Sequence, residues 1–409
     1  MAGPRRSSLL LFPFVLFMLL LWRGRCSTEQ KLGRRSPPTD GGFCDQLIRP
    51  LGYACTEHVV QTDDGFLLAV QRIQDGKNTQ KFGSPRPVFL QHGLFQGGDT
   101  WFLNPTEQSL GFVLADHGFD VWVGNVRGTH WSRGHISLSE TERVFWEWSW
   151  QELAEYDLKC MVNYVYSVTN SKVLFVGHSQ GTIMGLAALT KPEVVDMIEA
   201  AALLSPISYL DHISSQLVLR AVGMHLDQVL LTMGIHELNF RNDLGVRIMD
   251  YLCDGFMDCG NILSAITGKN CCFNDSRVEY YLEYEPHPSS VKNINHLFQM
   301  IRKGTFTKYD YGVWGNLKHY GRMHPPPYDL AAIPKSLPLW MAYGGNDALA
   351  DTTDVERMMR GLSSEPETVY LDSYGHIDFI YSVNAKVDIY DKMISFFSSC
   401  GQAASIWSA

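Results

Sequence analysis

The stretch KVLFVGHSQGTIMGLAAL, Lys172 to Leu189, limits the fold more than any other part of this chain. Val173 to Val176 read as a buried strand, and Gln180 to Thr190 as a helix of small residues packed on it. Ser179 stands at the abrupt corner, framed as G-x-S-x-G. Glycines on both sides remove side chains that a tight strand-to-helix turn could not hold, and the hydroxyl then projects into a cleft. A bare five-residue match arises by chance in roughly one chain of this length in seven or eight, so the motif alone is weak. Its setting and its partners must carry the weight.

The rest of the chain supplies the setting. His58 to Thr62 and Phe66 to Arg72, split by Asp63-Asp64-Gly65, read as an opening hairpin. Strand candidates follow at Val88 to Gln91, Phe119 to Gly124, Ala200 to Leu204, Leu339 to Tyr343 and Thr368 to Leu371. Helical stretches at Ser109 to His117, Trp150 to Val168, Thr352 to Leu362 and Ala385 to Ser399 lie between and after them. Strand and helix in alternation predict an α/β fold with a mostly parallel sheet and helices on both faces. The rhythm breaks once, from about Pro206 to His324, in a mixture of amphipathic helix, cysteines and loop. This reads as a helical cap inserted late in the sheet. The expected division is a leader at 1–26, a first core part at 27–205, the cap at 206–324 and a second core part at 325–409.

A serine hydroxyl is a poor nucleophile at neutral pH and needs a base to take its proton and an acid to orient that base. In the α/β-hydrolase arrangement the order along the chain is Ser, Asp or Glu, then His. Asp347 ends the strand LWMAYGGND, and of fourteen histidines only His376 lies beyond it. Asp347 could instead cap the next helix, but Asp351 is nearer that start; Asp372 and Asp378 are the fallback acids. His178, next to the serine, is expected to pack or hydrogen-bond in the wall rather than act as base. The oxyanion of a tetrahedral intermediate needs two converging N–H groups. Gln180, at a helix N-terminus, is expected to offer one, and Leu94, after the turn at His92-Gly93, the other.

The ends and the charge narrow the setting. Arg5 and Arg6 precede an apolar run from Leu9 to Trp22, then Arg23-Gly24-Arg25-Cys26-Ser27, which is the layout of a secretory signal peptide. A run of about 14 residues is short against the roughly 20 of a membrane span, so no transmembrane span is expected after cleavage. The destination is then the secretory pathway, outside the cell or in the lumen of a lysosome or vacuole, where disulfides persist. Cys44, Cys55, Cys160, Cys253, Cys259, Cys271, Cys272 and Cys400 remain, with connectivity unreadable. Four crowd between 253 and 272 and read as disulfides closing short loops; the spacing lacks the paired C-x2-C units of a zinc site. Asn274, in Asn-Asp-Ser, is the candidate glycosylation site, on an expected surface loop. A net charge of -9, from 43 acidic and 34 basic residues, argues against nucleic acid as a partner.

Taken in order, HGLFQ, VWVGNVRGTHWSRGH, FWEWSWQELAEYDL, VGHSQGT, YGGNDALAD and YGHIDFIYS resemble the acid lipase family, which includes the gastric and lysosomal acid lipases and their plant counterparts. The resemblance runs from about Cys55 to Phe397. It implies an α/β-hydrolase core under a cap, hydrolysing neutral lipid esters, with Ser179 as nucleophile, His376 as base, Asp347 as its orienter and Leu94 and Gln180 as oxyanion donors. No cofactor and no metal enter that chemistry. The expected partner is a lipid ester, triacylglycerol or sterol ester, at an oil-water or membrane interface, reached through a cleft sealed in water. The cysteine cluster Cys253 to Cys272 is richer than in the animal lipases, so cap disulfides and acyl pocket do not transfer. Two other readings stay open, a carboxylesterase of short soluble esters and a catalytically silent lipid carrier.

Overall fold

Apolar runs buried on both faces build the centre of the molecule. In the computed structural model, which describes residues 41–74, 76, 85–245, 247–248 and 262–406, strands β3 (Pro87–Gln91), β4 (Asp120–Gly124) and β6 (Val173–His178) have every residue buried. Their side chains alternate between two cores. Val88, Leu90, Leu174 and Val176 face one, while Phe89, Val173 and Phe175 face the other. Near-continuous apolar strands of this kind are what a parallel sheet covered on both faces requires.

The sheet has nine strands among the described residues. β1 (Ala54–Gln61) and β2 (Phe66–Gln74) form the opening antiparallel hairpin, and β2 pairs antiparallel with β4. From β4 the order runs through β3, β6, β7 (Ile198–Leu204), β10 (Leu339–Gly344) and β11 (Glu367–Leu371), all parallel. A two-residue strand, β5 (Gly134–His135), joins β2. The edge strands β1 and β11 are largely exposed, as strands covered on one side only should be. Each expected core strand is present, within two residues at most ends and four at the start of β1.

One face is covered by α1 (Leu110–Asp116) and α11 (Asp391–Ile406), the other by α2 (150–169) and α3 (Gln180–Leu189). α2 begins with a capping box, Ser149 accepting from the Gln151 N–H and Glu152 reaching back to the Ser149 N–H, and contains a π turn over Leu153–Leu158. α3 is buried along its whole length, which only its small residues permit. α10 (Thr352–Gly361) starts at Asp351, whose carboxylate accepts from the Thr353 N–H.

Residues 206–324 carry α4 (Gln216–Gly223), α5 (Leu226–Thr232), α6 (Ile262–Thr267), α7 (Val278–Tyr284), α8 (Val291–Lys303) and α9 (Gly312–Tyr320), with a two-residue ribbon of β8 (Glu237–Leu238) and β9 (Ser289–Ser290). Leu217, Ala221, Leu230, Val291, Ile294 and Phe298 make a small third core, onto which Leu94 and Phe95 of the loop after β3 pack. Met300 and Phe306, by contrast, join the main core. After Pro325-Pro326-Pro327 a single 3-10 turn, Leu330–Ala332, precedes β10.

Cys44 is bonded to Cys55, tying the N-terminal π turn Cys44–Ile48 to β1. Cys271 is bonded to its neighbour Cys272. That pair encloses no loop, so the entropic stabilisation expected of short loops closed in this region does not arise from it. The leader at 1–26, Cys253 and Cys259 lie outside the described residues.

Candidate active site

Ser179 occupies a backbone conformation, φ 54° and ψ -120°, that side chains other than glycine rarely adopt. Such strain costs ~1–3 kcal/mol and survives only where the surroundings over-determine it. Here the Ser179 N–H is donated to the Leu204 carbonyl at 3.1 Å, and α3 begins at the next residue. Both flanking glycines are required by close approach. A Cβ on Gly181 would lie 2.4 Å from the Gln91 carbonyl oxygen, and one on Gly177 2.9 Å from that of Gly181.

The loops after β6, β10 and β11 bring three distant residues together. Ser179 Oγ lies 2.7 Å from His376 Nε2, and His376 Nδ1 lies 2.9 Å from both oxygens of Asp347. All three are buried, Ser179 being 8 % exposed. Burial pushes the Asp347 carboxyl up, but the charge and hydrogen bond of His376, with N–H donation from Ala350 and Leu349 at 2.8 and 2.9 Å, hold it below its ordinary value. An ionised acceptor on Nδ1 leaves Nε2 to face the serine. The fallback acids are engaged elsewhere: Asp372 accepts from the Tyr370 hydroxyl, and Asp378 from the N–H groups of Gly375, Cys271 and Cys272.

The loop after β3 runs against the serine, so closely that a Cβ on Gly93 would lie 2.9 Å from Ser179 Cβ. Gln96 braces this loop, accepting from the Gly93 N–H at 2.9 Å and donating to Thr100 Oγ1 at 2.9 Å. Leu94 follows, half-buried, and Phe95 at φ 59° turns its ring onto Phe240. Gln180 opens α3, where the first N–H groups have no carbonyl of their own helix to bond. The site thus holds one loop and one helix start on either side of the Ser179 side chain.

His178 is buried in the wall, as expected, and joins these parts. Its Nδ1 lies 3.1 Å from Gln96 Oε1 and its Nε2 3.0 Å from the His376 carbonyl, which also accepts from Ser205 Oγ at 3.1 Å. Burial, helped by the neighbouring His376, pushes the imidazole down to about 3. A neutral ring therefore has one proton for two acceptor oxygens.

Several contacts come from residues 206–324 and had no counterpart in the sequence reading. Asn293 of α8 donates to Gln180 Oε1 at 2.8 Å. The Thr267 carbonyl, at the end of α6, accepts from the His376 N–H at 3.0 Å. His287 donates through Nε2 to the buried Asp99 at 2.9 Å, accepts the His130 N–H on Nδ1 at 3.1 Å, and gives its own N–H to the Phe95 carbonyl at 2.8 Å. Trp131 Nε1 also donates to Asp99. Ser290 caps α8, accepting from the Lys292 N–H, and the serine pair Ser289-Ser290 ahead of that amphipathic segment is the signal by which the helix start could have been found. Asn274 sits half-buried in the turn before the 3-10 helix Asp275–Arg277, its Oδ1 accepting from Ser276.

Residues 86–383 match the α/β hydrolase fold family, and residues 44–105 match a partial α/β-hydrolase lipase region. Triacylglycerol lipase 1 of Arabidopsis thaliana is 60% identical over 379 residues, 92% of this chain and 95% of that protein. Gastric triacylglycerol lipase of Rattus norvegicus is 35% identical over 382 residues, 90% of this chain and 94% of that one. A soluble variant of monoglyceride lipase from Saccharomyces cerevisiae has the same fold at 14% identity, with a TM-score of 0.54 over 84% of this chain and 95% of that one. With a family match spanning most of its length and lipase relatives covering nearly all of it, the chain belongs to the lipase family of α/β-hydrolases.

Proposed function

We propose that this chain is a serine lipase that hydrolyses neutral lipid esters through an acyl-enzyme, with Ser179 as nucleophile, His376 as general base and Asp347 as the acid that orients it. The observation that carries the reading is the continuous hydrogen-bonded line from Ser179 through His376 to Asp347, set on a strained glycine-flanked turn. His376 takes the Ser179 proton as Oγ attacks the ester carbonyl, then returns it to the leaving alcohol; water repeats the sequence on the acyl-serine. Asp347 stays ionised and stabilises the imidazolium. The N–H groups of Leu94 and Gln180 receive the negative oxygen, the second at the positive end of α3.

Residues 206–324 act as the cap between core parts 27–205 and 325–409. With Ser179 buried, a long-chain ester reaches it only when the cap shifts, which suits a substrate held in aggregates. Triacylglycerol is the favoured substrate, since the relatives that cover nearly the whole chain are named for it. The N-terminal apolar run, the Cys44–Cys55 bond and the Asn274 triplet support passage through the secretory pathway, with glycan at Asn274. No helix among the described residues is long and apolar enough to cross a membrane. The test is release of fatty acid from emulsified triolein by purified protein. Turnover by wild type and none by Ser179→Ala is the expected result, and equal turnover by both would overturn the assignment.

A further inference from the structure

Helix α9 carries its large apolar side chains toward solvent. Asn316 and Tyr320 face the protein: Asn316 accepts the Tyr311 N–H and donates to Asp310 and to the Met323 carbonyl, while the Tyr320 hydroxyl, with one proton to give, lies 3.1 Å from Gln151 Oε1 and 2.9 Å from the Tyr309 carbonyl. Its apolar residues face solvent. Trp314 is 84 % exposed, Val313 49 %, Leu317 39 %, and Met323 just beyond the helix 57 %. A helix held this firmly with its large apolar side chains outward is built to place them against something. Trp is the side chain best suited to a boundary that is wet on one side and apolar on the other.

Charge says what lies there. Between Gly312 and His324 the chain carries Lys318, Arg322, His319 and His324, all exposed, and no acidic residue, on a protein whose net charge is -9. Asp310, the acid just before the helix, is already paired with Lys303 and bonded to Asn316. Position agrees. α2 returns the chain to the start of β6, so its own first turn lies at the end of the sheet where the parallel strands stop and where Ser179, Asp347 and His376 stand. α9 is bonded to that first turn through Gln151.

We infer that α9 and the following turn, with Trp314, Val313, Leu317 and Met323 immersed and Lys318 and Arg322 beside them, dock the protein on a negatively charged lipid surface. The inference rests on the lipase reading only for the source of that charge, the fatty-acid carboxylates that ester hydrolysis leaves at the surface of a lipid particle. Docking there would hold the protein at the particle with its active-site end toward the lipid.

The experiment is sedimentation of the full protein with phosphatidylcholine vesicles, with and without oleate, at a pH where the fatty acid is ionised. Turnover of a soluble short ester is measured on the same preparations. Wild type should partition more strongly to oleate vesicles. Trp314→Ala should weaken binding to both kinds about tenfold, while the pair Lys318→Glu and Arg322→Glu should weaken binding to oleate vesicles about tenfold and leave pure phosphatidylcholine unaffected. Soluble-ester turnover should be the same in all. Trp314→Phe should remove fluorescence quenching by brominated acyl chains. Binding by Trp314→Ala equal to wild type would overturn the inference, as would an oleate preference that survives charge reversal, or a dimer of the wild type that the same substitutions dissociate. If no form turns over any ester, the lipase reading fails, while the partition data still decide the docking surface.

Discussion

The sheet and the 206–324 region are held by different physics. The sheet is held by burial: its central strands alternate between two large cores, and the buried polar side chains of β3, β4 and β6, Gln91, Asp120 and His178, stand at the strand ends. Residues 206–324 have a small apolar core of their own, onto which Leu94 and Phe95 pack, and also meet the site through hydrogen bonds, the His376 N–H to the Thr267 carbonyl, Asn293 to Gln180 and His287 to Asp99 and Phe95. Apolar packing sets where the loops that carry Ser179, Asp347 and His376 begin. The polar seams set where those loops end up.

The largest effect should come from breaking the core's own chemistry. Ser179→Ala and His376→Ala should each lower kcat on a soluble ester by roughly six powers of ten, with urea unfolding little changed for Ser179→Ala. Residual turnover above roughly a thousandth of wild type would place the chemistry elsewhere.

Disulfides separate the two regions by stability. Replacing Cys44 and Cys55 by serine should cost about 2–4 kcal/mol in urea unfolding, because that bond closes a loop between the N-terminal turn and β1. Replacing Cys271 and Cys272, which close none, should cost under about 1 kcal/mol. Equal losses would mean that the adjacent pair constrains far more than its own turn.

Next in size are the residues that only position others. His178→Ala should keep measurable activity but lose about tenfold to a hundredfold in kcat, since the ring that packs between Gln96 and the His376 carbonyl, and its single proton, are both removed. Asn293→Leu should lose about fivefold in kcat/KM, the worth of one hydrogen bond. If Asn293→Leu proved the more damaging, the seam from residues 206–324 would outrank the bracing by His178. Single-turnover kinetics on a soluble ester reads both.

The smallest effect is a pH dependence. Burial, and then the negative charge of Asp99, raise the Glu285 carboxyl well above its ordinary value. The folded state thus keeps a proton that the unfolded chain releases, and this residue's contribution to stability falls as pH rises above about 4.5. Glu285→Gln cannot release that proton. Its melting temperature relative to wild type should therefore climb from pH 4.5 toward 7. The buried imidazoles of His178 and His296, both pushed down to about 3 chiefly by burial, act the other way and cost stability as pH falls below 6.5, but they are common to both proteins and cancel in the difference. A flat difference would mean that Glu285 is ionised in the fold.

Much of this was legible in the sequence because the signals are local or ordinal. Apolar runs of strand length located the parallel sheet, the two glycines located the turn at Ser179, and chain order alone singled out His376 beyond Asp347. Two-residue strands such as β5, β8 and β9 carry too little pattern to be read. The π turns Leu153–Leu158 and Lys386–Tyr390 each run directly into an α-helix and are too short to show a period of their own in the sequence. A bond between adjacent cysteines cannot be told from composition.

Ser179 and His376 are 197 residues apart and Asn293 and Gln180 are 113 apart, yet only the first pair could be inferred. The sequence by itself determined the sheet, the strained serine turn and the order of Ser179, Asp347 and His376 along the chain, since backbone sterics and apolar periodicity act over a few residues and the connections of such a sheet then bring its strand ends together. Only the tertiary structure decided which polar residues of the 206–324 region touch those ends, and that Trp314 points outward. A single long-range hydrogen bond, or the facing of one short helix, depends on how whole elements settle against each other, and no local pattern encodes it.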